Sequence, residues 1–437
     1  EELVAGNPGT TVLFGQDSLS VTTGKTVQRA QPAATDIVGM QLTSGTTGFP
    51  KICVWKQRSM LAALDGMADA MHAGRDDIYL NWTPLYHDMG LVNNFLLCLS
   101  RGIPLVMLKP HDFVKDPAIW LRAMADTGAT ITWAPNFGFA LAAQRVRDEQ
   151  IEGVRLDHVK GFWNAAERIH LDTILAFQKR FEPIGLAPEA VKTNFGCAEN
   201  IGGATFSDPD GMFIVEHVDP EALYEDGIAQ PVPADSAKAV SIVGVGRPHP
   251  GMTIQILSDD GTPLNDGQVG EIALATPSRI EGYLNDPEET GKAIHGDLLI
   301  TSDLGYMRNG EVFWVGRTRE RITVRGRKID PSDFERVLLD IDSLRPGCFT
   351  AFGVDDPVSG SQQVVLISEV KETPGLSSAD VIEEVRDKVF ESMGLSIKDV
   401  LLVKAGTLAK TSSGKRRHRH FRDLYANGEL APFVVAG

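Results

Sequence analysis

Nine consecutive residues, Thr43-Ser44-Gly45-Thr46-Thr47-Gly48-Phe49-Pro50-Lys51, form a group whose chemistry suits phosphate. Two glycines, three threonines and a serine fit neither a long helix nor a buried strand. They fit a loop whose backbone N–H groups, hydroxyls and terminal ammonium can wrap a polyphosphate. The run is not the Walker loop G-x-x-x-x-G-K-[ST], because Phe49-Pro50-Lys51 follows Gly48. Taken alone, the run is better read as a solvated linker. Four further segments carry groups able to hold charge: Asn194-Phe195-Gly196-Cys197-Ala198-Glu199, Thr301-Ser302-Asp303, residues 316–329, and Lys410-Thr411-Ser412-Ser413-Gly414-Lys415. The third holds Gly316-Arg317-Thr318-Arg319 and Arg325-Gly326-Arg327-Lys328.

The elements that must position these groups alternate in type. Ile78-Tyr79-Leu80-Asn81-Trp82, Ile103-Pro104-Leu105-Val106-Met107-Leu108 and Ala129-Thr130-Ile131-Thr132-Trp133 read as buried strands. Between the last two, Asp116 is placed to N-cap a helix with Pro117 at its first position and a stop at Gly128. This strand–helix–strand rhythm predicts an α/β layered fold. Residues 207–239, rich in acidic, proline and small residues, read as a long irregular excursion. After it, residues 252–257 and 270–274 read as strands around the turn Ser258-Asp259-Asp260-Gly261. Charge rises near Gly316-Arg317-Thr318-Arg319, which marks a boundary. Ser377 and Asp380 have capping-box spacing for a helix bearing Val381, Ile382, Val385, Val389 and Phe390 and ending at Gly394.

Composition narrows the class. An apolar fraction of 43% and a charged fraction of 23% are ordinary for a globular protein long enough for two or three domains. The net charge of −16 disfavours general nucleic-acid binding, which needs a basic face. Cys53, Cys98, Cys197 and Cys348 are scattered without C-x-x-C spacing, which predicts free thiols in a reducing cytoplasm. The apolar stretch 95–108 is broken by Ser100-Arg101 and is too short to span a bilayer, and Glu1-Glu2-Leu3-Val4 does not resemble a signal peptide.

In their order and spacing the five segments resemble the adenylate-forming superfamily, which includes acyl-CoA synthetases, fatty-acyl-AMP ligases and peptide-synthetase adenylation domains. The resemblance runs from Gln41 to Tyr425. Fatty-acyl-AMP ligases are the most similar branch. Pro84-Leu85-Tyr86-His87-Asp88-Met89-Gly90-Leu91 matches their acyl-site segment, and Ala198 stands where many other relatives have Thr. The excursion through Val218-Asp219-Pro220 before Gly246-Arg247-Pro248 also fits them. The resemblance implies a large layered N-terminal adenylation domain over residues 1–316, a hinge at 317–319, and a smaller mobile α+β C-terminal domain over 320–437. Relatives have a longer segment before the glycine loop, so part of the first subdomain is expected to be missing from this chain.

The chemistry implied is attack of a carboxylate on the α-phosphate of ATP, with fixed cations and donors holding the phosphate charge. By resemblance Thr43, Ser44, Gly45, Thr46, Thr47, Gly48 and Lys51 hold the β- and γ-phosphates. Glu199 helps bind Mg²⁺, a hard cation suited to carboxylate. Asp303 accepts from the ribose hydroxyls with Arg317 beside it, and Ala166, Glu167, Asn194, Phe195 and Gly196 complete the nucleotide site. Lys415 bridges the substrate carboxylate and α-phosphate, Arg319 is the hinge residue, and His87, with a catalytic role, lines the acyl site with Asp88. Asn164-Ala165-Ala166-Glu167-Arg168 departs from the usual Asn-Gly-Ala-Glu-Pro, and the Ala165 methyl is expected to shorten or reshape the acyl pocket.

The acceptor stays open between a carrier-protein phosphopantetheine and coenzyme A. The basic run 415–422 suits an acidic carrier, and Gly326 permits close approach of a pantetheine arm. Asp88 also admits amino-acid activation, pairing with a substrate ammonium, although helix capping explains it as well. A nucleotide-binding regulator that has lost catalysis is the alternative of another class, opposed by the retention of every chemically important group. No nucleic-acid or membrane partner is expected.

Overall fold

The computed structural model describes residues 31–43, 51–236, 239–318, 320–324, 327–339, 341–356, 361–371, 377–408, 417–430 and 434–436. A seven-stranded sheet organises the first half. Across it lie Arg247–Pro248, Gly202–Phe206, Val191–Cys197, Gly161–Ala165, Ile131–Pro135, Tyr79–Asn81 and Leu105–Met107. The last five are mutually parallel, whereas Gly202–Phe206 and Arg247–Pro248 join antiparallel. Every residue of Ile131–Pro135 and Gly161–Ala165 is buried, as a parallel sheet covered on both faces requires.

Aromatic residues fill one covering layer. Trp120, on the helix Ala118–Thr127, meets Phe139, Phe162 and Phe177 with ring centroids 5.1–5.9 Å apart. Its indole N–H donates to Thr132 Oγ1 at 2.8 Å, so the polar edge of the ring is satisfied inside the core. The helix starts one residue later than its cap signal suggested. Asp116 accepts from the Ala118 N–H at 3.2 Å, Pro117 takes the cap position, and Gly128 closes the helix at φ +68°.

A second, antiparallel sheet contains Thr253–Leu257, Gly270–Ala275, Ile294–His295, Leu298–Arg308 and Glu311–Arg317. The Asn309-Gly310 turn, with φ of +52° and +80°, reverses the chain between its two longest neighbours. Residues 207–239 are less irregular than expected. Val215–Val218 pairs antiparallel with Val240–Val243, and a short wide helical turn forms at Ala222–Asp226. The pairing partner lies beyond the proline-rich stretch, so local composition could not reveal it.

From Ile322 onward the buried apolar residues gather into two clusters of their own, the larger with the helices Pro331–Leu339 and Ser378–Met393 and the smaller around Phe352, Ile367 and Phe421. The strands Leu344–Asp356, Ser361–Val370, Ile397–Val403 and Val434–Ala436 form their sheet, in which only the Ser361–Val370 and Ile397–Val403 pair is parallel. The capping box forms as predicted, Ser377 and Asp380 each satisfying the other's backbone N–H, and Gly394 ends that helix at φ +66°. Val381, Val385 and Val389 are buried, but Phe390 is 60% exposed and does not belong to the packed face. Among the described residues no helix is long and apolar enough to cross a membrane, and all four cysteines are free thiols.

Candidate functional site

Open α/β sheets place ligands beyond the carboxyl ends of their parallel strands. Two of the predicted segments fall there: Ala166-Glu167 leaves Gly161–Ala165, and Asn194-Phe195-Gly196 ends Val191–Cys197. Together with Asp303 and Arg317 from the second sheet they line one cleft of about 550 Å³. Seven residues from four distant stretches of sequence thus meet at a single concavity.

Cross-strand register explains the charged pair. Asp303 and Arg317 are direct partners in the Leu298–Arg308/Glu311–Arg317 ladder. Arg317 Nε donates to Asp303 Oδ1 at 3.2 Å, and Trp314 Nε1 donates to the same oxygen at 3.0 Å. Burial alone would pull the Arg317 guanidinium down, but Asp303, Glu320 and Glu199 together hold it above its ordinary value. The Asp303 backbone is set by Thr301, whose hydroxyl accepts from the Asp303 N–H at 3.1 Å.

Backbone strain gathers at the same place. Among the described residues six non-glycines have positive φ, and two lie in or beside this cleft's lining: Ala166 at +73° and Ser302 at +60°. Each costs on the order of 1–3 kcal/mol and persists only where the surroundings over-determine it. Gly196 is required for a different reason: a Cβ there would lie 2.4 Å from the Gly202 carbonyl oxygen.

Glu167 and Arg168 are held by neighbouring helices. Glu167 Oε1 accepts from the Phe137 N–H at 2.6 Å, at the start of the helix Asn136–Arg145, where a carboxylate also complements the helix dipole. Arg168 pairs with Asp333 at 2.5 Å and donates to Ser332 Oγ at 3.0 Å. The Tyr224 hydroxyl donates to the same Asp333 oxygen at 3.0 Å. Burial works against the Arg168 charge, and the Asp333 carboxylate overcomes it. A larger cleft of about 1250 Å³ shares Ala166, Glu167, Arg168, Trp314 and Arg317 and extends to Phe349 and His418.

The glycine loop is bracketed by its own ends. Thr43 N–H donates to the Lys51 carbonyl at 2.8 Å, and Lys51 N–H donates to Thr43 Oγ1 at 3.0 Å. The flanking strands Ile37–Leu42 and Ile52–Lys56 pair antiparallel. Ser44, Gly45, Thr46, Thr47 and Gly48 lie outside the described residues, as do Arg319 and Lys415.

Beyond the loop, Lys51 Nζ pairs with Glu289 Oε2 at 3.0 Å and lies 4.2 Å from the Tyr283 ring centroid. The Tyr283 hydroxyl donates to Glu199 Oε1 at 2.7 Å. Burial, then the Glu199 charge, pushes this phenol far above its ordinary value, so it stays a donor. Tyr283 reaches this position because the chain around it pairs with Ile52–Lys56: Val54 N–H donates to Gly282 and Leu284 N–H to Ile52, at 3.1 and 2.9 Å.

His87 and Asp88 sit together before the wide helix Met89–Leu96, outside the lining of both clefts. His87 Nδ1 is 2.7 Å from Asp88 Oδ1, and the Asp88 side chain accepts from the Met89 N–H at 3.0 Å. Ala165 ends its strand at 3% exposure inside the main core and is not among the residues lining these two clefts, whereas Ala166 is. Ala166, the first residue beyond the strand, reaches the cleft through a left-handed backbone at φ +73°.

Sequence reasoning missed Tyr283, Glu289, Trp314, Tyr224 and Asp333. The Asn309-Gly310 turn was a usable signal for Trp314, because it predicts the hairpin that carries it. Tyr283 had none: its role depends on a contact with Glu199, 84 residues away.

The residues present fit Mg²⁺ as a partner that arrives with a nucleotide. Among the described residues no cluster of three or more His, Cys, Asp or Glu could enclose a metal. One carboxylate oriented by a tyrosine would be the protein's share if substrate phosphates supplied the other ligands.

Comparison with known proteins converges on one family. The AMP-binding enzyme family matches residues 5–284. The long-chain-fatty-acid–AMP ligase FadD26 of Mycobacterium marinum is 30% identical over 94% of this chain and 73% of its own length. The medium-chain-fatty-acid–[acyl-carrier-protein] ligase JamA of Moorena producens is 30% identical over 90% of this chain and 68% of its own length. A solved structure from studies of fatty acyl-adenylate ligases of E. coli and L. pneumophila superposes with a TM-score of 0.86, at 26% identity, over 93% of this chain and 73% of that one. The chain therefore belongs to the AMP-binding enzyme family and is an AMP-forming ligase, on the fatty-acyl-AMP ligase side of that family.

Proposed function

We propose that the chain activates a fatty or related acyl acid as its acyl adenylate and then passes the acyl group to the phosphopantetheine thiol of a carrier protein. In the first step a carboxylate oxygen attacks the α-phosphorus of ATP, the bond to the β-phosphate bridging oxygen breaks, and pyrophosphate leaves. In the second a thiolate attacks the acyl carbonyl and AMP departs. Asp303 takes the ribose hydroxyls, backed by Arg317. Residues 43–51 hold the β- and γ-phosphates, Glu199 shares Mg²⁺ with them, and Lys415 spans carboxylate and α-phosphate. Mg²⁺ supplies charge neutralisation on the phosphates when bound.

One observation carries this reading: Asp303, paired with Arg317 and Trp314, faces the same cleft as Ala166-Glu167 and Asn194-Phe195-Gly196. The adjoining larger cleft supports a second substrate arm that reaches the acyl carbonyl from another side. Asp88 favours an acyl over an amino-acid substrate, because its carboxylate is engaged by His87 and by the helix it caps. The name of JamA, an acyl-carrier-protein ligase, supports the carrier as acceptor.

ATP–pyrophosphate exchange across acids of graded length and polarity tests the first step. Exchange that depends on a fatty acid supports it, and exchange with amino acids but not with their deaminated analogues overturns it. Supplying pre-formed adenylate with holo-carrier or with coenzyme A decides the acceptor. If Lys415→Ala bound ATP and still formed adenylate at the wild-type rate, the role given to Lys415 would be wrong.

A further inference from the structure

The cation that ends the glycine loop already has an anion beside it. Lys51 Nζ is 3.0 Å from Glu289 Oε2, on the short helix Pro287–Ala293 that packs beyond the loop. Both side chains are partly open, at 24% and 22% exposure, so solvent and ligands can reach the pair. A carboxylate is the nearest protein equivalent of a phosphate oxygen pair. An ammonium that serves a polyphosphate cannot keep full contact with a carboxylate on another element at the same time.

Glu289 is itself doubly served. Lys292 Nζ donates to it at 2.8 Å while also bonding Glu288 at 2.8 Å. The two cations hold the Glu289 carboxyl at about 2, Lys292 contributing first and Lys51 second. If Lys51 left, Lys292 would remain, so Glu289 would not be stranded as an unpaired charge. That makes the exchange inexpensive. Lys51 is also linked to Glu199, because it lies over the face of Tyr283, whose hydroxyl donates to Glu199.

We propose that Glu289 is the resting counter-ion of Lys51 and competes with the phosphates of ATP and pyrophosphate for it, a positioning role that weakens pyrophosphate binding and speeds its release. This rests on the reading above that residues 43–51 hold the β- and γ-phosphates. The competitor keeps the loop lysine pre-aligned and charged while preventing the product anion from being held too tightly.

The test is direct calorimetric titration of pyrophosphate and of ATP into the full chain and two variants. Glu289→Gln removes the competing charge but keeps a side chain of the same shape. Glu288→Gln removes the same charge one residue away, from a carboxylate that touches Lys292 but not Lys51. Glu289→Gln is expected to bind pyrophosphate about two- to fivefold more tightly, the range of an exposed ion pair. Glu288→Gln is expected to match wild type. In a Lys51→Ala background the Glu289→Gln effect should vanish, since the interaction is pairwise. A wild type that binds both ligands, with unchanged or weaker binding in Glu289→Gln, overturns the proposal. Equal tightening in both variants also overturns it, by showing a general field effect. A wild type that binds neither ligand overturns the phosphate-loop reading, and this inference with it.

Discussion

Two regions of the molecule hold their charges in opposite ways. In one, Asp303 is buried and takes two donors, Trp314 and Arg317, from the neighbouring strand of the same ladder. In the other, Lys51 and Glu289 meet between a strand end and a surface helix, each a fifth to a quarter exposed. The first pair is fixed by register before any ligand arrives and needs no rearrangement to act, which is what electrostatic preorganisation means. The second can trade partners cheaply because water and Lys292 share the load. A group that reads the unchanging part of a nucleotide gains from rigidity. A group that meets the part that leaves gains from exchange.

The largest expected effect concerns another pair, Arg168 with Asp333, only 11% and 12% exposed. Asp333→Ala leaves the guanidinium buried without its carboxylate and should cost about 3–5 kcal/mol in urea denaturation. Replacing both partners by apolar residues should recover much of that loss. If Asp333→Ala proved no more costly than Glu289→Gln, the distinction between fixed and exchangeable pairs would fail.

Next in size is Asp303→Asn, which removes the charge from two hydrogen bonds and should weaken ATP binding by about 1.5–3 kcal/mol, measured by calorimetry. Unchanged affinity would break the comparison at its rigid end. Tyr283→Phe deletes only the donor to Glu199, so a smaller loss of about 1 kcal/mol in ATP affinity is expected. A loss as large as that of Asp303→Asn would move Glu199 into the rigid class.

The smallest effect is one of pH. Glu289 has its carboxyl lowered from 4.5 to about 2, so its contacts are fully present above the ordinary carboxylate value and are lost only as pH falls through about 2. The ratio of pyrophosphate affinities between wild type and Glu289→Gln should therefore stay flat over roughly pH 5–9. A ratio that collapsed near pH 6 would mean that a histidine, not Glu289, sets the competition.

Part of the cleft lining could be read from residue types because its parts are local motifs. Ala166-Glu167, Asn194 to Gly196 and Asp303 each announce themselves within a few residues. The hairpin joining Asp303 to Arg317 was half legible. Its Asn309-Gly310 turn sets the pairing of Arg308 with Glu311, and carrying that register along the strands puts Gly316 opposite Asp303. A bulge between Leu304 and Gly305 moves the pairing by one residue and brings Arg317 there instead.

By itself the sequence determined the α/β class, the helix stops at Gly128 and Gly394, and the capping box at Ser377. Those follow from backbone conformation and side-chain chemistry within a turn or two of each residue. Only the tertiary structure decided who meets whom: Tyr283 with Glu199, Lys51 with Glu289, Arg168 with Asp333. These contacts join residues 84 to 238 positions apart, and nothing in the local chain distinguishes one distant carboxylate from another until the sheets have packed.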